Sequence, residues 1–241
     1  MDYRIKPVGD SALTISFGNT IDPGISRTVR IAREYLTSKN IGGVREYVQT
    51  YTSLMVHYAP SVIGFSELAA RIITELSGLE VGNDSGAKRI IKIPVCYGGE
   101  YGPDLPTVCE HTGFSAEEVV AKHSAPDYLI YMLGFMPGFV YLGGMDPSIA
   151  TPRLESPRER LEKGSVGIAA DQTGMYPLVS PGGWQIIGRT PLELYDQERE
   201  KPILYEAGEY IRFVPVSEKE FSEIREQVEN GTYEYQWIVE G

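Results

Sequence analysis

Hydrophobic positions in the first third of the chain switch between a period of two and a period near 3.6. Alternation over residues 3–8 and 12–17, around a Gly9-Asp10 turn, predicts a strand pair. Asp22-Pro23 then opens a helix, because Asp accepts from free backbone N–H groups and proline needs none at the first helical position. Ile25, Val29, Ala32 and Leu36 form one apolar stripe on it. Residues 44–51 and 54–58 predict a second strand pair. A second helix is expected over 66–77, with Phe65, Leu68, Ala69, Ile72, Ile73 and Leu76 inward and Gly78 ending it. Residues 81–88 (VGNDSGAK) are small and polar, which places a domain boundary there. The expected domains are a small β-β-α-β-β-α domain over 1–84 and a second domain over 85–241.

Beyond the boundary the pattern is mostly strand. Residues 89–95 open it, and two short helices follow at 105–111 and 116–123. Ser115 and Glu118 form a capping box for the second, with Phe114 and Val119 as its hydrophobic staple. Short strands are expected at 128–134, 139–142, 165–169, 175–179, 184–189, 203–205 and 209–215. Many short strands with turn signals predict a closed or nearly closed β-barrel. A final helix begins at the Ser217/Glu220 capping box, with Phe221, Ile224 and Val228 as its stripe. The fold class is therefore an α+β N-terminal domain followed by a mainly-β barrel domain with a C-terminal helix.

Composition narrows the partners. The 241 residues include 22 Lys+Arg against 33 Asp+Glu, for a net charge of −11. No basic cluster is present to displace phosphate counterions, so neither nucleic acid nor an anionic membrane is an expected partner. No apolar run approaches a membrane span and MDYRIKPVGD lacks a signal-peptide core, so a cytoplasmic location is expected. Cys96 and Cys109 match no zinc spacing and the 3 histidines are scattered, so no metal site is expected. Sixteen Tyr against 7 Phe suit half-buried strands and surfaces that meet a partner. Walker A, GxGxxG, GxSxG and HExxH motifs are absent.

Three blocks rich in glycine and proline remain as candidate chemistry, all in the barrel. In the first, Phe135, Pro137 and Phe139 either wall a pocket or belong to a strand-turn-strand core. The second holds Arg153 and Arg158 on proline-stiffened loops, either as an anion clamp or as solvated surface. The third is QTGMYPLVSPGGWQIIGRTP, residues 172–191. Its glycines and prolines alternate with β-formers, so it reads as rigid turns rather than flexible loop. Ser180, Gly182 and Gly183 before Trp184 form either an anion-binding nest of backbone N–H groups or a tight barrel corner. Arg189 can pair with a carboxylate or phosphate. His123 ends a short helix, where an imidazolium is favoured, and acts either as acid/base or as a cap. Asp171 is a further carboxylate.

Residues 134–153 (GFMPGFVYLGGMDPSIATPR), 164–169 (GSVGIA), 172–191 and the N-terminal VGDSAL at 8–13 together resemble the KipI or allophanate-hydrolase-subunit-1 family. Its members include the B subunit of 5-oxoprolinase and an inhibitor of a sporulation histidine kinase. The resemblance implies a cyclophilin-like barrel and one component of an enzyme that opens 5-oxoproline to glutamate with ATP as co-substrate. Implied partners are the KipA-like and LamB/YcsF-like subunits of that enzyme. The alternative role implies docking on the helices of a sensor histidine kinase and blocking its autophosphorylation. On the enzymatic reading, His123, Gln172 and Arg189 are the catalytic candidates. Arg153, Thr173, Tyr176, Ser180, Gly182 and Gly183 bind substrate, while Phe135, Pro137, Phe139 and Trp184 face a partner. Ala170-Asp171 stands where the family is expected to have small residues, which counts against Asp171 as a shared catalytic group.

Overall fold

Two units make up the chain, Met1–Ser85 and Gly86–Gly241. The structure, a computed structural model, describes residues 2–79 and 87–240, so nearly all of the boundary expected at 81–88 lies outside the described residues.

The first unit runs β1 (Arg4–Val8), β2 (Ala12–Ser16), α1 (Pro23–Ser38), β3 (Val44–Gln49), β4 (Ser53–Tyr58) and α2 (Phe65–Ser77). Its strands form one antiparallel sheet in the order β1-β2-β4-β3. The Asp22 carboxylate starts α1 by accepting from the N–H groups of Gly24 at 2.8 Å and Ile25 at 3.0 Å. Leu13, Ile15, Val29, Leu36, Leu54 and Leu68 meet in the core. Ile73 departs from expectation and is 51% exposed. Leu68, Ile72 and Leu76 recur every four residues along one face, and Ile73 sits a further 100° around the helix.

The second unit continues with β5 (Lys88–Tyr97), α3 (Leu105–Thr112), α4 (Ala116–Ser124), β6 (Tyr128–Leu133), β7 (Val140–Gly143), β8 (Arg158–Leu161) and β9 (Ser165–Ala169). Then come β10 (Gln172–Met175), β11 (Ser180–Gly182), β12 (Gln185–Arg189), β13 (Tyr210–Pro215), α5 (Glu218–Glu229) and β14 (Trp237–Glu240). The main sheet runs β10-β9-β12-β5-β13-β6-β7, with β14 added beside β5. Its two ends come together without a ladder: a Cβ on Gly174 of β10 would lie 3.1 Å from the Val140 carbonyl of β7. The result is a mixed α/β chain with a nearly closed barrel sheet and, among the described residues, five α-helices. Strand β5 is the spine. It pairs in parallel with β13 along one edge, and with β14 and then β12 along the other. Buried on both faces for much of its length, it reads as a continuous apolar run rather than an alternation.

Both capping boxes form, Ser115 with Glu118 and Ser217 with Glu220. Other local expectations need correction. The strand expected at 175–179 ends at Met175, just before Pro177, which has no N–H for a ladder. At 203–205 only an isolated bridge forms, Ile203 with Tyr195. The 180–182 turn is instead a strand, β11, in a ribbon with β8. The chain also does not end in a helix, because β14 follows α5. Tyr233, Tyr235 and Trp237 pack on the barrel core, a period-two signal visible in the sequence.

Candidate functional site

The loop from Gly134 to Phe139 is stiff although it contains two glycines. The Gly134 N–H donates to the Phe139 carbonyl at 3.2 Å, and the Phe139 N–H donates to that of Met136 at 3.1 Å. From below, the buried Tyr205 hydroxyl donates to the Gly138 carbonyl at 2.8 Å. Gly138 takes φ 81° and Phe135 takes φ 69°. Left-handed backbone costs a bulky L-residue about 1–2 kcal/mol, so this loop holds Phe135 in a conformation it would not choose. Its ring is nonetheless 71% exposed.

Beneath it Phe139 is buried at the centre of an aromatic cluster. It meets Phe135, Tyr141, Tyr176 and Trp184 edge to face, with centroids 5.5, 5.2, 5.5 and 5.7 Å away. Such pairs add about 0.5–1.5 kcal/mol each beyond their burial. Leu161, Ala169 and Ile186 complete a small core that is separate from the barrel's main one. Burial pushes the Tyr176 phenol up to about 12, so it stays protonated. Phe139 and Trp184 are therefore floor, whereas Phe135 and Pro137 reach solvent.

Arg153 is exposed, with its guanidinium 5.8 Å from the Trp184 ring centroid. Its neighbours are tied to the same segment: the Leu154 N–H donates to the Gly183 carbonyl at 2.8 Å, and Gln185 Nε2 to the Pro152 carbonyl at 2.9 Å. Arg158 has a different job. It grips Asp104 with two bonds, at 2.9 and 2.6 Å, and Asp104 also accepts from the Ile186 N–H at 2.6 Å. That ion pair is a brace, so Arg158 is neither the clamp residue nor the solvated surface arginine that the sequence left open.

The expected nest is not formed. It needs left-handed backbone at one position, and neither Gly182 nor Gly183 has positive φ. Gly182 serves packing instead, since a Cβ there would fall 2.5 Å from Leu161 Cδ1 and 2.7 Å from Tyr176 Oη. The nearby Ser180 hydroxyl is buried with no hydrogen-bond partner. Arg189 is separated from the aromatic face, lying roughly 15 Å along β12 from Trp184 at the usual strand rise. There its guanidinium stands 5.8 Å from the Tyr101 ring centroid, with Nε buried and without an acceptor.

His123 lies in the interior, with no exposed surface. Its Nδ1 is 2.8 Å from the Tyr97 hydroxyl, its Nε2 is 2.8 Å from Thr173 Oγ1, and its ring stacks on Phe213 at 4.6 Å. Thr173 donates its own proton to the Gly167 carbonyl at 3.1 Å. The tautomer follows from this. Thr173 must accept from Nε2–H, so Nδ1 accepts from Tyr97, whose phenol burial holds well above its ordinary range. Burial lowers His123 from 6.5 to about 3. The imidazolium expected from the helix end is thereby overturned: desolvation of this size outweighs the roughly 0.3–2 kcal/mol a helix terminus offers. His123 and the equally buried Thr173 are interior braces, not groups at a surface that substrate reaches.

Gln172 is half-buried beside the β9–β10 turn, with exposed Ala170 and Asp171 at its tip. Ala170 has φ 53°, and its backbone exchanges hydrogen bonds with Thr151 at 2.7 and 3.2 Å. That pairing brings the hairpin beside the Arg153 loop. Among the described residues no group of three His, Cys, Asp or Glu can hold a metal ion, and no helix is long and apolar enough to cross a membrane. Gln185, buried and bonded to the Pro152 carbonyl, is the supporting residue that sequence reasoning missed. The GGWQ run offered a signal for Gln185, a polar residue among strand-forming apolar ones.

The sequence pattern of the carboxyltransferase domain, subdomain C and D, matches residues 3–205. Over 234 residues the chain is 42% identical to the B subunit of 5-oxoprolinase from Bacillus subtilis (strain 168), covering 93% of this chain and 98% of that protein. Among solved structures, the conserved uncharacterized protein PH0987 from Pyrococcus horikoshii superposes with a TM-score of 0.54 at 44% identity, over 90% of this chain and all of that one. TTHA0988 superposes with a TM-score of 0.76 at 33% identity, over 86% of this chain and 40% of that chain.

Proposed function

The chain belongs to the carboxyltransferase subdomain C and D family, in the group of 5-oxoprolinase B subunits, and on that premise we propose that it is the B subunit of an ATP-dependent 5-oxoprolinase. It works with LamB/YcsF-like and KipA-like subunits in the cytoplasm, converting 5-oxo-L-proline to L-glutamate. Its second unit is a cyclophilin-like barrel, residues 85–241, following the small α+β domain of residues 1–84. The observation behind this reading is the exposed face made by Phe135 on its rigid loop and Arg153 over Trp184. It offers a cation and aromatic walls but no positioned acid or base, which suits one wall of a site completed by another subunit.

The chemistry asks for little more from this wall. A lactam is a stable amide and needs activation. Its oxygen attacks the γ-phosphoryl group of ATP and ADP leaves. Water then adds to the activated carbon and the ring nitrogen departs as an amine. A second water hydrolyses the remaining acyl phosphate to glutamate and phosphate. Cationic donors stabilise charge on the carboxylate and phosphoryl oxygens, which is the part Arg153 plays. Gln172 lines the approach and Phe135 and Pro137 meet the partner subunit, whereas Tyr176 and the Ser180 hydroxyl are buried. Without a nest at Gly182-Gly183 the wall lacks a phosphate cradle, so ATP is held by the partners. Arg189, on its separate patch, is not part of this wall.

The test is 5-oxoproline-dependent ATP hydrolysis by the three mixed subunits. Omission of this chain is expected to abolish it, and an unchanged rate without the chain would sink the proposal.

A further inference from the structure

Two backbone-directed hydrogen bonds cross between the triplets 152–154 and 183–185. The residue before Arg153 accepts from Gln185 Nε2 at 2.9 Å, and the residue after it donates to Gly183 at 2.8 Å. Arg153 and Trp184 occupy the middle positions, and their side chains meet at 5.8 Å. We propose that Gln185 is a positioning residue: its amide holds the Pro152 carbonyl so that the Arg153 guanidinium stays over Trp184, facing substrate. This rests on the proposed function only in what Arg153 faces.

The stability accounting at Gln185 points the same way. The side chain is 5% exposed, and its Oε1 is buried with no hydrogen-bond partner. An orphaned buried carbonyl is unfavourable, so a residue kept for stability alone would be apolar here. Pro152 is exposed, and its carbonyl can turn to water if Gln185 is removed. What the amide uniquely supplies is the location of the 152–154 backbone, at a cost to the fold. A misplacement of about 1 Å at a binding group is enough to lower activity strongly.

Gln185→Met keeps length and volume but removes the donor. Its melting temperature is expected to equal or exceed that of the wild type. The chain has 2 Trp, and Trp237→Phe identifies the Trp184 indole N–H signal in a nitrogen-proton NMR spectrum. That signal is expected to move in Gln185→Met in the same direction as in Arg153→Met. In turnover by the three mixed subunits, KM for 5-oxoproline is expected to rise about tenfold with kcat within about twofold, and Gln185→Met added to Arg153→Met is expected to change nothing more. A clear drop in melting temperature with an unmoved Trp184 signal assigns Gln185 a purely structural role and overturns the proposal, as does an additive double mutant. If the wild-type mixture shows no 5-oxoproline-dependent turnover, the functional reading fails, while the indole signal and melting temperature still decide the role of Gln185.

Discussion

His123 and Arg153 are both polar side chains set against aromatic rings, yet their surroundings make them opposites. His123 is enclosed, stacked on Phe213 and bonded at both ring nitrogens. Arg153 is exposed above Trp184, and only its backbone neighbours are tied down. Enclosure removes the charge of the histidine and fixes its tautomer, leaving a rigid strut between α4, β5 and β10. Exposure leaves the guanidinium open to a ligand, and the hydrogen bonds beside it limit where it can go. The residue type with the stronger catalytic reputation became architecture because water cannot reach it.

The sharpest challenge to this contrast is His123→Ala. It leaves the Tyr97 hydroxyl without its acceptor, removes one of the two bonds at Thr173 and empties the stack on Phe213, so urea denaturation is expected to show a loss of about 4 kcal/mol. Stability within about 1 kcal/mol of wild type would mean the strut is not one.

Phe135→Ala probes the other region. The residue is 71% exposed and its ring makes one edge-to-face pair with Phe139, so folding stability is expected to fall by only about 0.5–1.5 kcal/mol. Affinity for the partner subunits is expected to fall about 30-fold by titration calorimetry. Unaltered affinity would remove this face from the assembly.

A pH series separates the two polar groups directly. The folded-state pKa of His123 is about 3 against 6.5 as a free group, so the unfolded chain takes up the proton first. Its stabilising contribution is complete above about pH 6.5 and declines as pH falls toward 3, by about 1.4 kcal/mol per unit. Denaturation midpoints between pH 7 and about 5.5, above most carboxylate titration, are expected to show this slope in the wild type and lose it in His123→Gln. An identical slope in both would show that the ring is not held neutral.

The smallest effect is expected at Ala170, the left-handed residue of the β9–β10 turn, at φ 53°. Ala170→Gly relieves backbone strain but adds freedom to the unfolded chain, for a net gain of about 0.5 kcal/mol by thermal melting. A loss of stability would show that the turn is not strained.

Much of the first unit could be read from residues alone. Asp22-Pro23 announced α1, and the order of its strands and helices followed from changes of apolar period. The same local logic found both capping boxes in the second unit. It failed where pairing joins distant segments. Nothing near Ser180 reveals that it lies beside Leu161, or that the C-terminal strand returns to β5.

The candidate site was legible as a set of residues but not as a place. Gln172, Arg153, Trp184 and Arg189 looked like one surface because they share neighbouring motifs. The strand rise instead carried Arg189 away from Trp184, and the hairpin bridge at Thr151 brought the Arg153 loop in. Gly182 was singled out for its backbone N–H, whereas the structure ties it to packing, the closeness of Leu161 and Tyr176.

Taken alone, the sequence determined where helices start, which faces are apolar, and that residues 134–153 and 172–191 belong to one structural design. Those properties depend on contacts within a few residues, so they survive without knowledge of the fold. Tertiary structure decided which polar groups keep contact with water. His123 lost it, Arg153 retained it, and Arg158 was drawn into a brace with Asp104. The charge and hydrogen-bonding of a group depend on everything packed around it, and that sum exists only once the barrel has formed.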